Sequence, residues 1–416
     1  MKMRRLKWLY PGMKIKRWIF TSGTGVLLVA IGAIVLILKK IPGSRTIGIT
    51  VIILGALIII YGMKRMLKSF VAVFLPQREK ELVDIMYHYS QLEKGPKIVV
   101  IGGGTGLSTI LHGLKEHTSN ITAIVTVADD GGSSGRLREQ FGILPPGDIR
   151  NCLVALADAE PLMRELFQFR FGNESELSGH SFGNLFITAM CKVTGDFEKA
   201  IKESSKVLAI RGRVIPSTFE KVKLVAEYRN GQTTVGETKI VKQNEPIKRV
   251  YLDPSNCKAS KESFEAIADA DIIVLGPGSL YTSVIPNLLV EGIAEKIAQS
   301  KAPKVYVCNV MTQSGESDNY TAFDHMNALI SHTRPDILDY CIVNAGKVPK
   351  ELLKKYEEEG AYPVTADSDK IIENGYNVIE GDVVNIQNYV RHDAKKLSKV
   401  IIGLTLKTKG KKISID

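Results

Sequence analysis

The chain has 416 residues, 44% of them apolar and 24% charged, which is enough for two or three domains with a sizeable buried core. Its formal charge of +11 is segregated: residues 1–80 hold fifteen Lys/Arg against the single acid Glu79, a net of +14, and the remaining 336 residues net −3. A slightly acidic body argues against a nucleic-acid binder, and five scattered cysteines without C-x-x-C or paired-histidine spacing argue against a disulfide framework or a zinc site.

The basic segment explains its own charge. Ile19–Leu38 is twenty residues without a charge and Thr46–Met63 is eighteen more. Each suits a hydrocarbon core of about 30 Å at roughly 1.5 Å per residue. Only a short turn with Pro42 and Gly43 separates them, so the pair reads as a tight helical hairpin. Seven basic residues precede the first span (Lys2, Arg4, Arg5, Lys7, Lys14, Lys16, Arg17), three lie in the turn, and five follow between Lys64 and Lys80. The positive-inside rule then puts both ends in the cytoplasm and the turn outside. A second span and the lack of a small-residue cleavage site argue against a cleaved signal peptide. Gly23, Gly25, Gly32 and Gly55 are expected to let the helices approach closely. The division is therefore a basic, membrane-spanning region over 1–75, an amphipathic linker over 76–95 and a soluble domain over 96–416.

From Lys97 onward, short apolar runs alternate with helical patterns. Strands are predicted at 97–101, 121–127, 271–275, 304–308 and 339–343, and helices at 107–117, 260–270, 285–299 and 320–332. Near-continuous apolar strands indicate a parallel sheet covered on both faces. The fold class is α/β, a Rossmann-like, doubly wound and mainly parallel sheet. Residues 213–252, with an Asn230-Gly231 turn, are expected to form a small antiparallel insertion.

Ligands of open α/β sheets bind outside the carboxyl ends of the strands, so the loops there are the candidates. After the first strand comes Gly102-Gly103-Gly104-Thr105-Gly106, whose glycines admit a close anion and whose helix start supplies amide donors. It lacks the Lys of a Walker A loop and the third glycine of the dinucleotide fingerprint, and it stands too early in the domain for a tubulin-type GTPase. The second strand leads to Asp129 and Asp130, candidates for ribose hydroxyls or for Mg²⁺ beside a diphosphate, and to Arg136, a candidate diphosphate ligand. Later loops offer Gly276, Gly278 and Ser279, then Asn309. Asp148 and Ser181 stand where they can cap helices, and His180 is either an acid/base group or a structural histidine.

The segments "GGGTGLS", "TVADDGGSSGRLR", "PPGDIRN", "LSGHSFGNL", "IRGRVIPST", "GPGSLYTSVIPNLL", "CNVMTQSGE" and "VRHDAKKLS" together resemble the bacterial gluconeogenesis-factor family, within the 2-phospho-L-lactate transferase-like superfamily. The resemblance covers about residues 96–403. It implies a Rossmann-like domain that binds a UDP-sugar, UDP-N-acetylglucosamine in particular, with Thr105, Asn287 and Arg391 among the binding positions. It also implies a role in cell shape and cell-wall precursor supply during gluconeogenic growth, with protein partners in amino-sugar or wall synthesis; a homo-oligomer is left open. A reaction is established for the superfamily's transferase branch and not for this one. The expectation is a membrane-tethered, cytoplasm-facing binding and regulatory protein, with a Mg²⁺-dependent transferase of nucleoside diphosphate substrates as the alternative.

Overall fold

The computed structural model describes residues 15–38, 43–74, 82–159, 161–172, 176–385 and 390–410. Of the charge pattern read above, Lys2 to Lys14, Lys39, Lys40, Arg78 and Lys80 lie outside the described residues, as does linker segment 75–81. The chain divides into two compact units, Met1–Ser90 and Gln91–Asp416.

The first unit holds two long helices, α1 (Ile15–Leu38) and α2 (Ser44–Phe74). Within them Arg17–Leu38 and Ser44–Leu67 are long and apolar enough to cross a membrane. Their seam is made of glycine at seven-residue spacing, Gly25 and Gly32 on α1 against Gly48, Gly55 and Gly62 on α2. A Cβ on Gly25 would lie 2.8 Å from the Gly55 carbonyl oxygen, and one on Gly32 would lie 2.8 Å from that of Gly48. Backbone therefore packs on backbone, the geometry that small residues permit where lipid-like side chains offer no hydrophobic gradient. Gly23, expected in this seam, instead faces open space, because it falls two residues from Gly25 and so on another side of the helix. Near one end Arg65 lies 5.5 Å from the ring centroids of both Trp18 and Tyr61, which meet edge-on at 5.9 Å. The amphipathic linker forms a third helix, α3 (Leu82–Glu93).

Among the described residues twelve strands follow: β1 (Ile98–Gly102), β2 (Ile121–Val125), β3 (Arg213–Pro216), β4 (Lys223–Tyr228), β5 (Thr233–Val235), β6 (Ile247–Asp253), β7 (Ile272–Leu275), β8 (Lys304–Val307), β9 (Tyr340–Asn344), β10 (Asn377–Gly381), β11 (Val384–Asn385) and β12 (Arg391–His392). Seven make one parallel sheet in the order β10-β9-β8-β7-β1-β2-β3. All five β1 residues are buried, as their unbroken apolar run requires. The helices most relevant to the site are α4 (Gly104–Leu114), α5 (Gly132–Phe141), α6 (Gly147–Leu156), α7 (Pro161–Gln168), α8 (Phe182–Thr194), α9 (Phe197–Val207) and α10 (Glu237–Val241).

The insertion is narrower than expected. Residues 213–216 join the main sheet as β3, and β4, β5 and β6 form the separate antiparallel sheet, turning at Asn230-Gly231. The helix predicted over 285–299 is interrupted. A π-helical turn, Leu280–Val284, leads into Ile285–Leu288, and a second helix, Ile293–Gln299, begins after Gly292 at φ +84°. Four helices between 147 and 207 carried no strand-helix alternation to flag them, because they pack on each other with no strand among them.

The sheet order creates one switch point. From β1 the chain builds outward through β2 to β3, and from β7 it builds the opposite way through β8, β9 and β10. The loops after β1 and β7 therefore diverge from neighbouring strands, which opens a crevice above them.

Candidate functional site

The crevice begins where β1 runs out. Gly103 is extended and a Cβ there would lie 2.7 Å from an Asp148 carboxylate oxygen, while Gly104 has φ +64°. A side chain is excluded at the first position and strained at the second. Gly106 closes the contact with the β7 loop, since its Cβ would sit 2.8 Å from the Pro277 carbonyl carbon. The glycine run thus serves two needs, backbone contact with a second loop and a bare helix start. Gly103 at the N-cap has no side chain to offer and Asp148 takes the Gly104 N–H, so the N–H groups of Thr105 and Gly106 have no intrahelical acceptor and can receive an anion.

Around this helix start lies a cavity of about 460 Å³. Gly103, Gly104, Thr105 and Gly106 line it from the β1 loop, Gly278, Ser279 and Ser283 from the β7 loop, Asn309 and Thr312 from the β8 loop, and Arg391 and His392 from β12. Asn309 ties two of these loops by accepting the Gly278 N–H at 3.3 Å. Val390 and Tyr356 form an apolar wall, backed by a small hydrophobic cluster separate from the main core. Burial pushes the His392 imidazole down to about 4, so it is neutral at physiological pH.

Eight of the thirteen positions singled out from sequence therefore share one cavity: Gly103, Gly104, Thr105, Gly106, Gly278, Ser279, Asn309 and Arg391. Gly276 lies just behind them at φ +80°, turning the chain out of β7. The other four do not line it. Asn287 is fully enclosed, and its amide donates to the carbonyl oxygens of Gly102 at 3.0 Å and Ser283 at 2.7 Å. It braces the two loops from below and cannot present its edge to a base or sugar. Asp130 accepts from the backbone and hydroxyl of Thr238, at 2.9 and 2.8 Å, fastening the insertion to the sheet. Asp129 accepts the Gly131 N–H at 2.8 Å within its own turn. Arg136 donates to the Ser178 carbonyl at 2.7 Å on the exposed side of α5. Among the described residues no three His, Cys, Asp or Glu side chains are grouped to hold a metal ion. Asp129 and Asp130 turn their carboxylates to different partners, so as placed the two do not converge on one ion.

Two further residues named from sequence have partners in the structure. Ser181 caps α8, accepting from the Asn184 N–H at 3.2 Å. His180 is buried, with Nδ1 2.9 Å from Ser133 Oγ, whose oxygen also accepts from Asn184 at 3.1 Å. Asp148 does not cap its own helix, α6. It stands against the glycine loop, where burial, reinforced by nearby Asp129, raises its carboxyl to about 6 although it accepts the Gly104 N–H. Glu237 sits near it, and Glu316 near Glu237. Burial, with Asp129 and Asp148 close by, pushes Glu237 well up. Burial raises Glu316 to about 7, and Thr282 donates to it at 2.9 Å. Sequence spacing missed Glu237 and Glu316, which reach this place from the insertion and from the loop after β8.

Comparison with known proteins places the chain in a family. The family described as 2-phospho-L-lactate transferase CofD matches residues 98–384. The gluconeogenesis factor of Bacillus subtilis is 49% identical over 310 residues, covering 74% of this chain and 98% of the relative. The chain belongs to the gluconeogenesis-factor family. The factor of Halalkalibacterium halodurans is 51% identical over 310 residues, 74% of this chain and 96% of its own. A relative from Nostoc sp. is 46% identical over 417 residues, covering 95% of this chain and 91% of its own. At 95% coverage of this chain, that alignment includes part of the hairpin. A crystal structure of a UPF0052-family protein from Bacillus halodurans superposes with a TM-score of 0.72 at 51% identity, over 74% of this chain and 99% of that one.

Proposed function

We propose that this protein binds a UDP-sugar, UDP-N-acetylglucosamine in particular, in the crevice between the β1 and β7 loops, and that it acts as a membrane-tethered regulator of cell shape and cell-wall precursor supply during gluconeogenic growth. The observation that carries the binding reading is the convergence of an uncapped glycine-rich helix start, two further loops and Arg391 on one cavity. Thr105 and the first-turn amides supply donors for a diphosphate, Arg391 adds a charge-assisted donor, and the wall of Val390 and Tyr356 suits the flat face of a base. The two apolar helices support a tether, with both ends and the α/β unit in the cytoplasm.

Calorimetric titration of the full-length chain in detergent micelles with UDP-N-acetylglucosamine tests this. Arg391→Ala removes a hydrogen bond from a charged group, of roughly 1.5–3 kcal/mol, and is expected to weaken binding at least tenfold. Thr105→Ala removes a neutral one of about 1 kcal/mol, a loss of about fivefold. No binding at millimolar ligand, or affinity unchanged from the native protein in both variants, overturns the reading. A reporter fused after Lys68 is expected in the cytoplasm, and external activity would refute the topology.

A transferase reading has one observation in its favour, the Asp148 and Asp129 carboxylates beside the glycine loop. It requires Mg²⁺-dependent consumption of a nucleoside diphosphate substrate. Ligand recovered intact after prolonged incubation with Mg²⁺ counts against it.

A further inference from the structure

A second cavity, of about 480 Å³, opens beside the first among α4, α6, α7 and the start of the C-terminal helix Ala394–Thr408. None of the thirteen candidate site positions lines it, although Asn151 of the PPGDIRN segment does. Thr109 lines both cavities, so the two meet at a single side chain. We infer that this second cavity is the subsite for the sugar ring of the bound nucleotide sugar, a neutral group bearing hydroxyls and an amide. This rests on the UDP-sugar reading above and deepens it.

The geometry of α4 sets the reach. Thr105 stands at its diphosphate-binding start, Ser108 and Thr109 follow one turn later and His112 about two turns later. At about 1.5 Å per residue the second cavity lies some 5–10 Å beyond the phosphate grip, the span of one pyranose ring. The same helix thus presents its amide end to the diphosphate and its polar stripe to whatever the diphosphate carries.

The chemistry of the lining selects that group. Ser108 and Thr109 spend their hydroxyl protons on the Thr105 carbonyl, both at 2.9 Å, and leave oxygen lone pairs to accept from a ligand. Asn151 accepts from Arg150 through its carbonyl oxygen at 2.6 Å, which leaves its NH₂ to donate. Among the described residues the side chains of Arg164 and Gln168, one turn apart on α7, make no hydrogen bond or ion pair. Arg164 and Glu165 cancel in charge, and burial next to Lys115 lowers the His112 pKa, keeping it neutral. A cavity with balanced charge and many unspent donors and acceptors suits a polyhydroxyl group better than a second anion. Val154, Ala155 and Pro161 add apolar wall for the ring face or an acetyl methyl.

The test is calorimetry of the full-length chain in micelles with UDP and with UDP-N-acetylglucosamine, for the native protein and for Arg164→Ala and Gln168→Ala. Native protein is expected to bind the nucleotide sugar about tenfold more tightly than UDP, as one or two added hydrogen bonds allow. Both substitutions lie on the surface helix α7, and each is expected to remove most of that advantage while leaving UDP affinity unchanged, which also verifies folding. If the advantage survives in both variants, or if native protein binds UDP as tightly as the nucleotide sugar, the sugar lies elsewhere and this inference fails alone. If native protein binds neither ligand, the UDP-sugar reading fails and takes this inference with it.

Discussion

In the hairpin, Phe20, Leu27 and Ile60 stand outward at 79%, 65% and 62% exposure, and glycine lies inside. In the α/β unit, Val100, Leu107 and Leu111 are wholly enclosed, while Thr105 and Arg391 face solvent. The two regions are built from similar apolar residues with inverted radial order. Water drives apolar side chains together in the second unit. Lipid would give no such drive in the first, where close backbone packing must supply the attraction instead. The same substitution therefore has different consequences on the two sides.

The largest expected contrast comes from truncating leucine. Leu111→Ala leaves a cavity in the α/β core and is expected to destabilise that unit by about 2–4 kcal/mol. Leu57→Ala, at a position 57% exposed on the hairpin, is expected to change stability by less than about 0.5 kcal/mol in micelles. Thermal unfolding of full-length variants in detergent measures both, and equal losses would break the comparison.

Adding bulk reverses the ranking. Gly25→Leu forces a side chain into backbone of the facing helix and is expected to cost about 1–3 kcal/mol of hairpin packing. Gly23→Leu, with nothing within 4 Å of its Cβ, is the matched control and is expected to be silent. Cysteine cross-linking between the two helices reads the difference. Equal cross-linking in the two variants would remove the glycine seam from the account.

The smallest effect sharpens the α/β side, where carboxylates are buried next to the glycine loop. Asp148 has its folded pKa raised from 3.8 to about 6. The folded protein then holds this proton more tightly than the unfolded chain. Its contribution to stability is greatest below pH 3.8 and is lost as pH rises through about 6. Asp148→Asn keeps an acceptor for Gly104 and removes the charge. It is expected to stabilise the unit at pH 7.5 by on the order of 1–2 kcal/mol and to flatten the stability profile between about pH 4 and 6. An unchanged profile would show that Asp148 does not carry this titration.

Much of the architecture was legible along the chain. The charge-free runs at 19–38 and 46–63 state the hairpin by length alone, and the unbroken apolar runs of β1, β2, β7, β8 and β9 state a parallel sheet, because a strand covered on both faces needs no polar side. The glycine loop and its partners at Ser279 and Asn309 followed from one rule, that loops at the carboxyl ends of parallel strands share an edge. β3 was misplaced because a four-residue strand at the sheet's edge next to a hairpin insertion has the same composition as the insertion.

Sequence spacing does not specify side-chain direction, and there the site readings divided. Thr105 and Arg391 reach the cavity, whereas Asp130 turns to Thr238, Arg136 to Ser178 and Asn287 inward beneath the loops. A polar residue in a binding loop has the same identity whether it meets a ligand or fastens the loop, and only packing separates the two. Local chemistry by itself determined the membrane-length helices, the parallel sheet and an anion-ready helix start, since each depends on periodicity or on backbone freedom within a few residues. The tertiary structure alone decided that β1 and β7 are neighbours, that Asp148, Glu237 and Glu316 gather behind the glycine loop, and that a second cavity adjoins the first across Thr109. Those facts depend on contacts between residues tens to hundreds of positions apart, where chain connectivity carries no record of distance.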